Sequence, residues 1–270
     1  MSVDPVDGLV VSEVGEWTLE KHERLRRYID ISRKVRAKFT SPGGAGATYI
    51  DLYCGPARSV LAGSDTVIDG SPLAAFEAAR SVPFGKLYLA DVDEENCAAA
   101  KTRVVARGGD VETFVGTAAQ TVEKICPALN PYALHFAFLD PYSLGALPFS
   151  VIERLSRFKR MDMLIHVSAM DFQRNLHKFL SGENTAMDQF APGWRDKVDV
   201  EQRQDIVRRK TLEYWLGLIR GFDMTPAQGI ELVTGSKNQN LYWLVFVARH
   251  ERAQEFWEKI RDVNPQRGLF

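Results

Sequence analysis

The chain has 270 residues, 45% of them hydrophobic and 26% charged, with a formal net charge of −1. This length fits one large domain, or one domain with a substantial insertion, and the near-neutral balance supplies no global basic footprint for nucleic acid, leaving only a local patch for that role. No apolar run reaches membrane-spanning length, the acidic MSVDPVDG start lacks the order of a signal peptide, and Cys54, Cys97 and Cys126 form no CxxC pair, which argues against a zinc site or disulfide framework and suits a reducing cytoplasm.

Residues 1–47 read as a helical prelude. After a frayed start, VGEWTLEKHERLRRYIDISRKVRAKF has the period of one long amphipathic helix, with Thr18 as N-cap and Leu25 and Ile29 near one face. The opposite face is rich in Lys and Arg and reads as solvated. SPGGAGA (41–47) then breaks the helix.

Residues 48–174 alternate strand and helix. Strand YIDLYC leads through a long loop, ARSVLAGSDTVIDG, into helix SPLAAFEAAR, with Ser71 as N-cap and Pro72 at the first helical position. Strand KLYLADV precedes helix EENCAAAKTRVVAR, and strand VETFVG precedes helix AAQTVEKICPAL, which ends near Pro127. HFAFLD is a continuous apolar strand of the kind covered on both faces, and helix LPFSVIERLSRF with strand MDMLIHV completes the fifth unit. The alternation predicts an α/β fold: a doubly wound, mostly parallel, Rossmann-like sheet with right-handed crossovers. Residues 175–235 read as a polar helical insertion or cap, and residues 236–270 return to the core with strand LYWLVFVARH and helix AQEFWEKIRDV. There is no internal repeat.

Three strand-plus-acid units in order, YIDLYCGPARS, LYLADVDEEN and HFAFLDPYS, predict an adenosine-type cofactor pocket at the strand C-termini. Gly55 and Pro56 make the first turn, where a glycine lets backbone approach a ligand; Tyr53 sits at its entry. Asp51 either accepts a hydrogen bond from a cofactor ammonium or is satisfied by a nearby helix N-terminus. Asp91, followed by Val92, suits ribose hydroxyls, with Asp93 as the rival acid or an N-cap. Asp91 lies 36 residues after Gly55, beyond the roughly 20 of the dinucleotide pattern, and the loop 59–70 accounts for most of the excess. The turn also lacks the GxGxxG glycines, which disfavours a nicotinamide-dependent oxidoreductase. Thr117 contacts the adenine edge or caps the following helix.

Asp140-Pro141-Tyr142 is the sharpest chemical signal. The turn resembles that of amino-group methyltransferases, which implies that the polar side chain and a backbone carbonyl orient an acceptor nitrogen while the aromatic stacks on its plane, so that in-line methyl transfer is favoured by positioning; the alternative is an acid capping a βα turn. His135 reads as structural, and His166 as a candidate base without an assignable partner. Arg58 and Arg174 are candidates for a substrate or partner, Arg174 through its fixed charge. No metal site is expected.

WTLEKHERLRRYI, YIDLYCGPARS, VIDGSPLAAFEAA, FAFLDPYS, DMLIHVSAMDFQRNL and the closing RGLF together resemble the three-Cys-motif partner family, TcmP. That resemblance implies a class I methyltransferase-like fold and a bacterial gene neighbourhood shared with a radical-SAM-like protein bearing three cysteines. The family's glycine turn is commonly DLFAGPGRS, so Ala57 replaces a glycine, and its methyl is expected to narrow the pocket. The resulting expectation is an S-adenosylmethionine-dependent methyltransferase acting on a nitrogen of nucleic acid or a modified base. The alternative is a non-catalytic, cofactor-binding partner of the three-cysteine protein that docks through its helical region.

Overall fold

The computed structural model describes residues 2–228, 230–235 and 239–261; the closing RGLF motif lies outside them. The chain opens with β1 (Ser2–Val3) and β2 (Val10–Val14), then α1 (Trp17–Ile31) and α2 (Arg33–Thr40). The alternating region holds β3 (Ala47–Asp51), β4 (Arg58–Leu61), β5 (Val67–Asp69), α3 (Ser71–Ala78), β6 (Lys86–Asp91), α4 (Glu94–Ala106) and β7 (Val111–Val115). It continues through α5 (Ala118–Ile125), β8 (Leu134–Leu139), α6 (Phe149–Leu155) and β9 (Met161–Ser168). Four helices follow, α7 (Ala169–Ser181), α8 (Ala186–Phe190), α9 (Trp194–Lys197) and α10 (Gln204–Arg220). The last described elements are β10 (Thr225–Pro226), β11 (Glu231–Thr234), β12 (Asn240–Ala248) and α11 (Glu251–Ile260).

The main sheet has the order β10–β12–β9–β8–β3–β6–β7, with β11 also paired to β12. Strands β7, β6, β3, β8 and β9 are parallel, whereas β12 is antiparallel to β9, β10 and β11. The sheet is therefore mixed: β11 and β12 are too close in sequence for a crossover, so they can pair only antiparallel. Side chains alternate between two cores because successive strand residues face opposite sides. Ile50, Ala137, Ile165 and Val245 join α5, α6, α7 and α10 on one face. Tyr49, Phe136, Leu164 and Phe246 join α1, α3, α4 and α11 on the other. The helices α8 to α10 share the first of these cores, and Phe190 stacks on Trp215 at 5.0 Å.

Five local expectations are corrected. The long first helix breaks at Ser32, where the Ser32 hydroxyl and the Arg36 guanidinium both bond the Ile29 carbonyl. Thr18 lies inside α1 rather than at its cap, since the Thr18 and Leu19 amides are already bonded to the Gly15 and Glu16 carbonyls. Likewise Gly70, not Ser71, precedes the first residue of α3. The start is not frayed and the 59–70 stretch is not all loop: β1, β2, β4 and β5 form a second, four-stranded sheet. Its parallel β2–β4 pairing joins Ser12 to Ser59, a contact that local periodicity cannot reveal.

Arg103 of α4 clamps this small sheet onto the glycine turn. It is buried, donates to both Asp7 oxygens at 2.7 and 2.8 Å, and bonds the carbonyls of Val10 and Pro56 at 2.8 and 2.6 Å. Replacing Arg103 with Met strips four partners of their donor while Asp4 stays fully buried beside it. Thermal and urea melts should show a stability loss of about 3 kcal/mol for Arg103→Met, the cost of breaking a buried pair. A loss below about 0.5 kcal/mol, the scale of an ordinary surface change, would mean that the clamp is not structural.

Candidate functional site

The C-terminal ends of the parallel strands frame a cavity of about 560 Å³. Tyr53, Asp91, Val92, Thr117, Asp140 and Tyr142, all expected at the site, line it together. Ser12 and Val14 of β2, Asn96 of α4 and Gln189 of α8 complete its wall. The small sheet and the inserted helices thus build part of the site, although neither carries a recognisable motif.

Asp91 is the hub of this edge. One carboxylate oxygen accepts the Asp93 amide at 3.0 Å and the Asn96 side-chain amide at 3.1 Å; the other accepts the Gly55 amide at 3.0 Å. An ionised carboxylate has about four acceptor positions, so one remains toward the cavity. Gly55 itself has φ +53°, and a Cβ there would meet nothing within 4 Å. Its glycine serves the left-handed turn that aims the amide at Asp91, rather than close approach of a ligand. Asp93 is the N-cap of α4, accepting from the Glu95 amide at 2.8 Å.

Asp51 lies behind the wall. It is fully buried, with Tyr49 and Ser71 hydroxyls donating at 3.0 and 2.6 Å and the Tyr53 amide at 3.1 Å. Burial pushes its carboxyl up to about 7 against those three donors. The group orders the turn and does not reach the cavity. Pro56 is buried and gives its carbonyl to Arg103, while Arg58 ion-pairs with Asp4. Arg58 is thereby committed to the small sheet. Ala57 has φ +65° and packs into the core rather than the cavity, so its methyl does not narrow the pocket; a glycine suits this position for its backbone alone. Thr117 forms a capping box with Gln120, with its hydroxyl accepting from the Gln120 amide at 3.3 Å.

Asp140 holds the least expected partner. Lys21, on the Leu25 face of α1, is 5% exposed and contacts both Asp140 oxygens at 2.7 and 2.6 Å. Burial opposes ionisation of Asp140, yet the Lys21 ammonium outweighs it and the carboxyl sits below its ordinary range. His166 lies 3.6 Å from the same carboxylate, and its ring packs on Tyr242 at 4.5 Å. Burial and the nearby Lys21 push His166 down to about 4. His166 is therefore neutral at pH 7. Tyr142 is 81% exposed at the cavity mouth. Arg174 is exposed on α7, away from the cavity lining, and has no ion pair among the described residues.

Lys21 was legible in one respect. It falls on the face of Leu25 and Tyr28, at i, i+4 and i+7, so a lysine interrupts an apolar stripe. His135 is structural, bonded to the Thr48 hydroxyl at 2.7 Å and the Asn130 carbonyl at 3.0 Å. The three cysteines are free and buried, and no cluster of potential metal ligands occurs among the described residues. None of the described helices is long and apolar enough to cross a membrane.

No family model and no curated protein matches the sequence. Among solved structures, a protein from Legionella pneumophila is 11% identical with a TM-score of 0.49, covering 89% of this chain and 90% of its own. Trm1 from Pyrococcus horikoshii, solved with S-adenosyl-L-methionine, is 10% identical with a TM-score of 0.48 over 94% of this chain and 61% of its own. The methyltransferase domain of a bacterial Hen1 is 12% identical with a TM-score of 0.42 over 86% of this chain and all (100%) of its own. Likeness at this level assigns no activity to the chain.

The buried Asp51 makes a signed prediction. With a folded pKa near 7, above the usual 3.8, the folded state holds a proton that the unfolded chain releases, so this group costs stability as pH rises from about 4 through about 7. Asp51→Asn should remove that cost: urea melts should show the variant gaining on the wild type as pH rises across the window. A stability difference that stays constant with pH would refute a raised Asp51.

Proposed function

We propose that the chain is an S-adenosylmethionine-dependent methyltransferase that acts on an amino nitrogen of nucleic acid or a modified base. The observation that carries this reading is the Asp91 carboxylate, held by the Gly55 turn at a strand C-terminus with one acceptor position toward the cavity. The residues fit a bound nucleoside in part. Asp91 would take the ribose hydroxyls, and the exposed Val92 offers an apolar surface to adenine. Thr117 spends its hydroxyl on its helix, and Asp51 is out of reach, so neither is proposed as a direct contact. The cofactor would supply an electrophilic methyl group on sulfur.

On the acceptor side, Asp140 faces the same cavity and Tyr142 stands exposed at its mouth. Two of the Asp140 acceptor positions go to Lys21; the others are available to an amino N–H. Lys21 keeps the carboxylate ionised and fixed, which favours alignment of the nitrogen lone pair with the methyl group. Neutral His166 lies beside Asp140, 3.6 Å away, and is not assigned the removal of a proton.

A second reading has its own support. The Lys21–Asp140 pair satisfies the sharpest catalytic candidate internally, as a non-catalytic member that docks to a radical-SAM-like three-cysteine protein would tolerate. Membership of the three-Cys-motif partner family belongs to this proposal as well.

Two measurements separate these readings. Calorimetry should show that Asp91→Ala weakens S-adenosylmethionine binding by about 1.5–3 kcal/mol, the worth of hydrogen bonds to a charged group, while Ala57→Gly leaves it unchanged. Because Asp140→Ala alone strands a buried ammonium, the transfer test compares Lys21→Met with the Lys21→Met/Asp140→Ala double variant. Cofactor affinity should match in the two, and methyl transfer to bulk RNA or DNA should be reduced in the first and abolished in the second. Cofactor binding without transfer by the wild type, even with its three-cysteine partner present, would leave the docking reading in its place.

A further inference from the structure

The larger cavity, about 670 Å³, lies at the opposite end of the sheet. Leu134 begins β8, Asp162 lies at the start of β9 and His250 follows the antiparallel β12, so this is the N-terminal edge of the parallel strands. The adenosine-type site occupies the other edge, and the two cavities share no lining residue.

Charge distinguishes this cavity. Arg36, Lys38, Lys159, Arg160, Arg249 and Arg252 line it, and none has a carboxylate within ion-pair distance among the described residues. Its single acidic lining residue, Asp162, accepts from the Tyr28 hydroxyl at 2.6 Å, and burial pushes its carboxyl up to about 6. The guanidinium groups rest on neutral carbonyls instead. Arg36 bonds those of Val82 and Ile29 at 2.7 and 2.9 Å, and Arg160 that of Tyr132 at 3.0 Å. Carbonyl partners orient a guanidinium without cancelling its charge. Arg36 is 1% exposed, and its Nη2 has no hydrogen-bond partner.

The same wall is aromatic. Guanidinium carbons lie over rings at three places: Arg36 over Phe84 at 4.7 Å, Arg160 over Phe39 at 5.4 Å and Arg252 over Phe256 at 5.8 Å. A guanidinium with one face on a ring can stack a planar ligand on its open face, as the exposed Arg160 and Arg252 can. Unpaired lysines and arginines at the rim suit a multiply charged anion. A volume of this size lies in the range of small-molecule sites.

We infer that this cavity binds a nucleoside polyphosphate, its base among the Arg–Phe layers and its phosphates on Lys38, Lys159 and Arg160. The site is separate from the proposed methyl-transfer site and does not depend on it.

The test is calorimetry of the full chain at low salt with ATP, inorganic triphosphate and adenosine. ATP should bind more tightly than either fragment, and added salt should weaken it. Lys159→Met/Arg160→Met, both exposed positions, should weaken ATP by at least about tenfold, as expected for lost charge-assisted contacts, with the melting temperature unchanged. Asp91→Ala, at the other edge, should leave ATP binding intact. The inference fails if wild type does not bind ATP, if the double variant binds it normally, or if Asp91→Ala abolishes binding. It fails equally if triphosphate alone matches ATP, which would mark a plain anion site. A short single-stranded RNA that displaces ATP and binds more tightly would overturn it in favour of a nucleic-acid surface.

Discussion

One hydrogen bond, from the Gly55 amide to the Asp91 carboxylate at 3.0 Å, ties together the turns that follow β3 and β6. Adjacent strands β3 and β6 are already paired in parallel, and the Cys54 amide reaches the Ala90 carbonyl at 2.9 Å just beyond the ladder. The extra bond carries the strand pairing past the strand ends and into the cavity wall. It requires a positive φ at residue 55, which glycine adopts at little cost, and a carboxylate at residue 91, which only an acid on that strand end can provide. Asp51 stiffens the first turn from behind, and Asp93 and Asn96 hold the second carboxylate oxygen from the start of α4.

Long-range ion pairs then attach the N-terminal region to that frame. Lys21 crosses to Asp140, and Arg58 and Arg103 hold Asp4 and Asp7. Lys21, Asp4 and Arg103 are buried, so their pairs must offset desolvation and gain only when the remaining hydrogen-bond positions are also filled. Arg103 meets that condition with four acceptors, and Lys21 with two carboxylate oxygens and the Tyr242 ring 5.6 Å away. Buried pairs of this kind add registry rather than bulk stability. They fix where α1 and the small sheet sit, and through Asp140 they fix one wall of the cavity.

What the sequence discloses follows from the range of each interaction. The alternation of strands and helices, the acids at strand ends and the capping role of Asp93 depend on neighbours within a few residues, and local pattern reads them. The β2–β4 pairing and the Lys21–Asp140 contact join segments 47 and 119 residues apart, and nothing near either partner announces the other. Ala57 shows a different limit. The glycine-for-alanine comparison pointed correctly to a special position, but the reason is a backbone angle and not space beside a ligand. Asp51 and Arg58 were expected at a ligand; here both are consumed by the scaffold.

The two cavities also obey one electrostatic rule from opposite sides. In a parallel α/β sheet the helices that follow strands start at the strand C-termini, so their positive ends gather at one edge. The acids Asp91 and Asp93 stand there, at the start of α4. The other edge receives helix C-termini, whose unsatisfied carbonyls favour cations. Arg249 takes this role after α6, bonding the carbonyls of Ser156 and Phe158. Cations placed on carbonyls in this way are stabilised in position while keeping their full charge, whereas cations placed on carboxylates lose it. A chain with a net charge of −1 can therefore hold a concentrated positive field at one sheet edge, provided its carboxylates are spent elsewhere. The ion pairs of the N-terminal region and of the exposed helices spend them in that way, and the unpaired set of arginines and lysines at the N-terminal edge is what remains.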